Sequence, residues 1–361
     1  MKVDYLIVGH GLAGACLAFE LRSKGQKVAV LDLPAENHSS RVAAGLYNPV
    51  TGRKMVKTWN VDKLFTILES FYLRVENMLG SKILYPLPIY RPFFSVEEQN
   101  EWMGKMADQN YSTIIERISS QSEFGKEIND PFGGIWLKNC GYLDIPAFLE
   151  ASKNILLNDG CYFEEKFDEQ YLSLGEVCKY REIECRKVIF ANGLAAQNSQ
   201  FFNWLPFHHL KGEILDIETS LPDDEVIYNR GVFIFNNAQN QIRCGSTYEW
   251  REVNLMPTEK GKHEILDKLE NLFTNSVEVK SHRVGIRPST KDRRPFIGIH
   301  PEKKLLGIFN GLGTKGVSLA PYFVVQFCAH LLVDEKLDKE VDINRYFSIY
   351  WNEKEEGLNA N

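Results

Sequence analysis

The chain has 361 residues, of which 44% are hydrophobic and 25% charged, a composition typical of a globular protein large enough for two lobes. Its 42 Lys and Arg residues against 48 Asp and Glu residues give a formal net charge of −6, which disfavours a general polyanion binder. The seven cysteines are scattered and never spaced as CxxC, so they indicate neither a metal site nor a disulfide framework. We therefore expect a cytoplasmic protein with reduced thiols.

The apolar runs of the sequence are short. The first, residues 3–8, ends at Gly9, long before it could act as a signal or span a bilayer. No later run approaches the roughly 18 uninterrupted apolar residues that a membrane span needs. We therefore expect no transmembrane segment.

The first 32 residues predict a strand, a glycine turn, a helix and a second strand. Apolar residues 3–8 lead into the turn, residues 15–23 have helical periodicity, and the apolar run 28–31 ends at Asp32. This is a complete βαβ unit in about 30 residues.

The glycine turn has the spacing GxGxxG, with Gly9, Gly11 and Gly14. In a dinucleotide-binding unit the first glycine permits the tight turn, the second admits the pyrophosphate, and the third lets the helix pack on the strand. The amides at the helix start, near Leu12 and Ala13, then face the anion. Asp32 is placed to accept hydrogen bonds from an adenosine ribose. A purely structural glycine turn is the alternative, and the motif alone does not separate NAD from FAD.

The remainder of the chain alternates between sheet-rich blocks and elements like those at the start. Residues 61–79 and 317–332 have helical spacing, and apolar strands at 185–190 and 305–309 each end in a small-residue turn. Short β-rich runs that predict antiparallel sheet occupy residues 83–94, 133–145, 210–217 and 225–250, the last with a hairpin turn at 236–240. The elements of the first type thus lie at the start, middle and end of the chain.

Four further segments complete a resemblance to a known family. These are the loop 39–46, the strand and turn 188–193, and the C-terminal segments 285–292 and 311–316. Together with the N-terminal glycine turn they resemble the D-amino-acid oxidase (DAO) superfamily of FAD-dependent oxidoreductases, in particular its glycine-oxidase-like and sarcosine-oxidase-like members. The resemblance extends from residue 1 to about residue 333.

This resemblance implies an α/β fold in which a Rossmann-like FAD-binding domain of the GR2 type is interleaved with an α+β substrate domain built on a mixed or antiparallel sheet. We expect the FAD-binding domain to comprise residues 1–80, 141–205 and 284–345. Residues 81–140 and 206–283 would form the substrate domain, and residues 346–361 a C-terminal tail.

The resemblance also assigns residues to a non-covalent FAD, because the cysteine that binds flavin covalently in some members has no counterpart within residues 285–292. The loop beside the flavin would place small side chains against it, and Phe167 would bracket the adenine through its backbone. The residues implied in FAD binding are Gly9, Gly11, Leu12, Ala13, Gly14, Asp32, Arg41, Ala43, Ala44, Gly45, Leu46, Phe167, Ala191, Asn192, Gly193, Gly311, Leu312, Gly313, Thr314, Lys315 and Gly316.

Two cations are the candidate catalytic residues. Arg287 aligns with the arginine that binds the substrate carboxylate in glycine-oxidase-like members, a task suited to the planar fork of a guanidinium. The alternative is a structural salt bridge to an acid such as Asp292. Lys315, with the amides at the start of the following helix, would stabilise negative charge on reduced flavin, unless the glycine loop merely caps a surface helix. We identify no firm acid or base, and we interpret His208 and His209 as structural.

The sequence therefore predicts an FAD-dependent oxidase or dehydrogenase that oxidises the C–N bond of a small amine or amino acid by hydride transfer to flavin N5. The electron acceptor, oxygen or a protein partner, and the oligomeric state stay open. Residues 44–49 also resemble a loop of the FAD-dependent half of the bifunctional enzyme that modifies wobble uridine in tRNA, and basic clusters occur at Arg53 and Lys54 with Lys57, at Arg293 and Arg294, and at Lys303 and Lys304. Nucleic acid is disfavoured by the net charge. A tRNA substrate, a non-catalytic FAD-binding protein and an NAD-dependent dehydrogenase are the alternatives.

Overall fold

The computed structural model describes residues 1–34, 38–52, 54–106 and 109–359. Its strands are β1 (Lys2–Val8), β2 (Val28–Asp32), β3 (Leu46–Tyr47), β4 (Val50–Thr51), β5 (Val56–Lys57), β6 (Leu84–Pro86), β7 (Ile89–Pro92), β8 (Ile115–Ser119), β9 (Gly134–Leu137), β10 (Gly141–Leu143), β11 (Tyr162–Glu164), β12 (Leu172–Leu174), β13 (Cys178–Tyr180), β14 (Ile183–Phe190), β15 (Leu210–Glu218), β16 (Ile227–Asn229), β17 (Phe233–Asn236), β18 (Ile242–Gly245), β19 (Glu278–Arg287), β20 (Phe296–Ile299) and β21 (Leu306–Asn310). Its helices are α1 (Leu12–Ser23), α2 (Ser39–Val42), α3 (Val61–Leu79), α4 (Val96–Lys105), α5 (Gln109–Ser112), α6 (Ile145–Asn158), α7 (Glu259–Leu272), α8 (Gly316–Val333) and α9 (Phe347–Asn359).

The first sheet has a parallel centre made from distant parts of the chain. Strands β11, β2, β1 and β14 lie side by side in parallel, and β21 pairs in parallel with the end of β14. Strands β12, β13 and β20 extend this sheet by antiparallel pairing. The predicted βαβ unit is therefore present, and the strands predicted at 185–190 and 305–309 join it.

Helices α1, α3 and α8 pack on one face of this sheet in a shared hydrophobic core that includes Leu17, Phe71 and Phe323. The bounds of α3 match the predicted helix at 61–79. Helix α8 is long and apolar enough to cross a membrane by length and composition alone, a property that core helices share. Nine of its residues, among them Pro321 and Phe327, are buried in the protein core.

The second sheet is mixed and has the strand order β19-β15-β18-β17-β16-β7-β9-β8. Strands β16 and β7 pair in parallel, and the other neighbours pair in antiparallel fashion. The predicted hairpin is present as β17 and β18. The ladder between β15 and β19 is long and pairs Leu210 with Arg287 at one end. Helix α7 covers this region through Ile265, Leu269 and Leu272.

This architecture confirms the predicted fold class, an α/β fold in which a sheet with a parallel centre is combined with a second, mixed sheet. The domain boundaries given above stay a prediction. Residues 346–361 begin as helix α9, in which Phe347 and Tyr350 pack edge-on against Trp204. The start of the predicted tail is thus a packed helix, and residues 351–355 are exposed.

Candidate active site

A cavity of about 510 Å³ lies between the two sheets, at the carboxyl ends of β1, β14 and β21. Ligands bind at this edge in open α/β sheets. Most of the sequence-predicted site residues line the cavity, namely Gly11, Leu12, Ala13, Ala43, Ala44, Gly45, Leu46, Ala191, Gly193, Arg287, Leu312, Gly313, Thr314, Lys315 and Gly316. The others that were predicted, Gly9, Gly14, Asp32, Arg41, Phe167, Asn192 and Gly311, are not among its lining residues.

The glycine turn is needed for close packing. Gly9 has a φ of +101°, and a Cβ there would lie 2.6 Å from the carbonyl oxygen of Ala191. A Cβ at Gly14 would overlap the carbonyl oxygen of Gly9, so the helix and the strand can approach only without side chains at these positions. Helix α1 begins without a side-chain cap from Gly11, and the amide of Leu12 donates to Ser40 Oγ at 3.1 Å.

Asp32 ends β2 with both carboxylate oxygens in hydrogen bonds. Oδ1 accepts from the His10 amide at 2.9 Å, and Oδ2 accepts from the Tyr162 hydroxyl at 3.1 Å. A carboxylate can accept further bonds, so these contacts orient Asp32 without using all its lone pairs. The imidazole of His10 meets Ser152 Oγ at 3.0 Å, and burial lowers its pKa to about 4. His10 is therefore a neutral structural residue.

Phe167 lies outside the cavity, in the core on the other face of the first sheet. Its ring stacks on Tyr180 at a centroid distance of 4.7 Å and meets Phe190 edge-on at 5.5 Å. Its expected role, through the backbone, stays a prediction. His209 packs against Phe207, and its two buried ring nitrogens have no hydrogen-bond partner within the described chain, so its structural role stays a prediction.

The second helix that opens on the cavity is α8. It also begins without a side-chain cap, and its first residues, Gly316 and Val317, line the cavity beside Lys315. The Lys315 ammonium donates to Asn48 Oδ1 at 3.0 Å and to the carbonyl oxygens of Asn48 and Val50, both at 3.3 Å. Burial lowers the pKa of Lys315 to about 8. Lys315 is thus a partly buried cation held by neutral oxygens.

Arg287, at the end of β19, is another partly buried cation in the cavity wall. Its Nη2 donates to Ser246 Oγ at 3.0 Å, and its Nη1 makes long bonds to the carbonyl oxygens of Thr247, at 3.3 Å, and Lys211, at 3.4 Å. The ring of Tyr248 lies against the guanidinium, 4.9 Å from Cζ. Burial lowers the pKa of Arg287.

The alternative salt bridge between Arg287 and Asp292 is absent. Asp292 instead pairs with Arg345 at 2.9 Å. Within the described part of the chain, no carboxylate lies within ion-pair distance of Arg287 or Lys315. The described lining also includes no Asp or Glu. The cavity is consequently electropositive and suited to an anionic ligand.

Several lining residues were not predicted from the sequence. Asn48 holds Lys315, Ser246 holds Arg287, and Tyr248 covers Arg287. Asn48 lies within residues 44–49, next to the loop that was predicted to border the flavin. Its place in the sequence could therefore have indicated a role at the site. Ser246 and Tyr248 follow β18 directly, but no spacing in the sequence relates them to Arg287, some 40 residues later.

Parallel strand ends, a glycine turn and two helix starts that lack a side-chain cap from their own N-cap residues meet at one cavity, and together they define a dinucleotide-binding protein. The chain belongs to the family of FAD-dependent oxidoreductases (DAO), whose family model matches residues 4–323. FAD is the cofactor of this family. The resemblance seen in the sequence is thereby confirmed.

Curated relatives are distant. The chain is 24% identical to the bifunctional protein ThiO/ThiG of Trichormus variabilis, over 94% of this chain and 54% of that protein. It is 22% identical to the tRNA 5-methylaminomethyl-2-thiouridine biosynthesis bifunctional protein MnmC of Idiomarina loihiensis, over 88% of this chain and 54% of that protein. It is also 22% identical to glycine oxidase of Geobacillus kaustophilus, over 89% and 90%. The chain thus spans about half the length of the bifunctional relatives.

Solved structures share the fold. Glycine oxidase from Geobacillus kaustophilus superposes with a TM-score of 0.74 at 19% identity, covering 96% of this chain and 98% of that one. Iminodiacetate oxidase from Chelativorans sp. BNC1 gives a TM-score of 0.74 at 18% identity, covering 95% and 98%.

The residues at the cavity fit FAD. The α1 start offers amides for the pyrophosphate, and the α8 start with Lys315 offers positive charge for the flavin ring. Asn192 Oδ1 and Ser289 Oγ are buried beside lining residues and have no hydrogen-bond partner within the described chain. Such buried polar atoms need partners, and the hydroxyls of a dinucleotide can supply them.

Proposed function

We propose that the protein oxidises the C–N bond of a small amine that carries a carboxylate, such as an amino acid or an N-substituted glycine. The observation that carries this proposal is Arg287, a partly buried guanidinium in the cavity wall whose described partners are neutral oxygens and an aromatic ring. A cation withdrawn from water without an anionic partner is costly, and a substrate carboxylate matches the planar fork of the guanidinium.

The cavity residues would bind and orient the substrate in four ways. Arg287 would hold the carboxylate, and Tyr248 would restrict the guanidinium from the solvent side. Lys315 and the amides at the start of α8 would stabilise negative charge on the reduced flavin. FAD, when bound, supplies the oxidising chemistry by accepting a hydride at N5. Exclusion of water by the buried walls would strengthen these electrostatic interactions.

The proposed reaction needs no dedicated side-chain base. A neutral amine can lose its α-hydride to give an iminium, which water hydrolyses to a carbonyl compound and a smaller amine or ammonia. In agreement, the described cavity lining offers His38 but no carboxylate or thiol. Burial lowers the pKa of His38.

Anaerobic titration of the FAD-loaded protein with a panel of amines tests this proposal. We expect carboxylate-bearing amines to bleach the flavin absorbance at about 450 nm. The methyl esters of the same amines should bleach it far less. Denaturation in acid should release the flavin into solution, because we propose that it is bound non-covalently. A protein whose flavin no amine reduces would instead be a non-catalytic FAD-binding protein.

Oxidative modification of a tRNA side chain is the second candidate. The observation in its favour is the exposed aromatic pair Tyr248 and Trp250, which begins at the cavity and could stack on bases. Against it, Lys57 pairs with Asp62 and Arg294 with Glu340, so these cations are partly neutralised; Arg53 lies outside the described residues. Flavin reduction by carboxymethylaminomethyl-modified tRNA, without reduction by free amino acids, would favour this candidate.

A further inference from the structure

Strand β15 presents three consecutive residues to two different regions. Gly212 lies under the guanidinium of Arg287, whereas Lys211 and Glu213 point away from the cavity because side chains alternate along a strand. Both charged side chains are almost fully buried, with exposed fractions of 1% and 2%. Their charged atoms lie 3.4 Å apart.

Apart from His282, the side-chain partners of this buried pair lie on one segment, residues 246–258, which we call the covering segment. The Lys211 ammonium donates to Asn254 Oδ1 at 3.1 Å and to the carbonyl oxygen of Met256 at 2.5 Å. The Glu213 carboxylate accepts from the amide of Thr258 at 3.0 Å and from its hydroxyl at 2.9 Å. The pair therefore holds the far end of the covering segment.

The near end of the covering segment is held by the same strand. The amide of Glu213 donates to Thr247 Oγ1 at 2.9 Å, and Lys211 and Glu249 exchange backbone hydrogen bonds at 2.8 and 3.0 Å. Tyr248 lies between these two points and extends over Arg287. Residues between the two ends, including Trp250 and Met256, are exposed, so few other contacts fix this segment.

We propose that Lys211 and Glu213 are positioning residues that fix the covering segment so that Tyr248 stays over Arg287. This rests on the proposed function, in which Arg287 binds the substrate carboxylate. Buried ion pairs often contribute little net stability, which makes a geometric role the better explanation of this one. His282 supports the arrangement, since its Nε2 lies 2.6 Å from the Glu213 carboxylate.

Steady-state kinetics of Lys211→Met and Glu213→Gln test the proposal. We expect KM for a carboxylate-bearing amine to rise about tenfold, a size typical of coupled neighbours, while kcat changes less than about twofold. Trypsin cleavage after Arg251, followed by mass spectrometry, should be faster in both variants because the segment is loosened. The control is Asp216→Asn on the same strand, whose partners Arg243 and Arg283 lie outside the covering segment. It should lose stability without these two effects.

The double variant Lys211→Met with Glu213→Gln separates positioning from stability. It leaves no unpaired buried charge, so its melting temperature should recover relative to Lys211→Met, but KM should stay raised because the bonds to Asn254 and Met256 are still absent. Recovery of KM together with the melting temperature would overturn the proposal. So would unchanged KM and cleavage in the single variants of a protein that binds carboxylates. Binding of a carboxylate is measured directly by adding acetate and following the change in the flavin spectrum. If acetate causes no change that depends on Arg287, the proposed function is overturned, and with it this role of the pair.

Discussion

The guanidinium of Arg287 lies in the space that any side chain at Gly212 would fill. A Cβ added to Gly212 would overlap Cζ and both terminal nitrogens of Arg287, and the ring of Tyr248 lies on the guanidinium at 4.9 Å from Cζ. The proposed carboxylate site therefore depends on the lack of a side chain at Gly212 as much as on Arg287 itself.

Replacing that glycine should displace the guanidinium. We expect Gly212→Ala to raise KM for carboxylate-bearing amines by about tenfold to a hundredfold, because small displacements of a binding group are costly. The FAD content should be unchanged, since Gly212 is distant in sequence and role from the glycine turn. Gly104→Ala is the control, because a Cβ at that helical position meets nothing within 4 Å. Equal KM values in the two variants would contradict the arrangement described above.

Removal of the arginine tests the carboxylate assignment directly. Loss of charged hydrogen bonds worth about 1.5–3 kcal/mol should raise KM about ten- to a hundredfold in Arg287→Ala. Arg287→Lys should recover only part of this, because a lysine cannot form two parallel bonds to a carboxylate. The methyl ester of the same substrate should be a similarly poor substrate for the parent, Arg287→Ala and Arg287→Lys. A parent-like KM in Arg287→Ala would remove the assignment.

The partly buried Lys315 should give the reaction a falling limb at high pH. Burial lowers the pKa of Lys315 to about 8, so its ammonium is present below that pH and is lost as the pH rises through it. If the Lys315 charge stabilises the anionic ligand, kcat/KM for carboxylate-bearing amines falls above about pH 8. Deprotonation of the amine substrate has the opposite effect, because it raises kcat/KM as the pH rises. The limb should vanish in Lys315→Met and move upward in Lys315→Arg. A limb that persists unchanged in Lys315→Met belongs to another group.

Asp32 should contribute to FAD retention. Because we propose that it accepts hydrogen bonds from the adenosine ribose, Asp32→Ala should raise the FAD dissociation constant about tenfold or more, as measured by fluorescence titration. Tyr162→Phe is the matched control, since it removes the hydroxyl that donates to Asp32 but leaves the carboxylate in place. If Asp32→Ala holds FAD as tightly as the parent, the ribose contact is wrong.

Most of the residues that the sequence predicted for FAD line the cavity, and the reason is local; their contacts with FAD stay a prediction. Turns such as Gly9 to Gly14 have backbone requirements that only glycine meets, so the residue types reveal the geometry. Helix α3 was likewise found from its apolar spacing, because its buried face repeats every three to four residues.

The substrate side depended on contacts between residues far apart in the chain. Arg287 was identified only through resemblance to the family. Its contacts with Gly212 and with the ring of Tyr248 follow from the pairing of β15 with β19. No local pattern in the sequence encodes that pairing. The same is true of Lys211 and Glu213, which in the sequence look like ordinary charged residues of a strand but are almost fully buried in the structure.

The pairing of β21 with β14, and the packing of α8 on α1, have a consequence for how the protein is made. The glycine turn is synthesised first, yet the residues that complete its cavity lie about 300 positions later. At about 5–20 residues per second, translation leaves the buried face of α1 without its partner for about 15–60 s. We therefore expect flavin capture to be a late event in biogenesis, and a chain that stops before Gly316 to expose apolar surface and bind no cofactor.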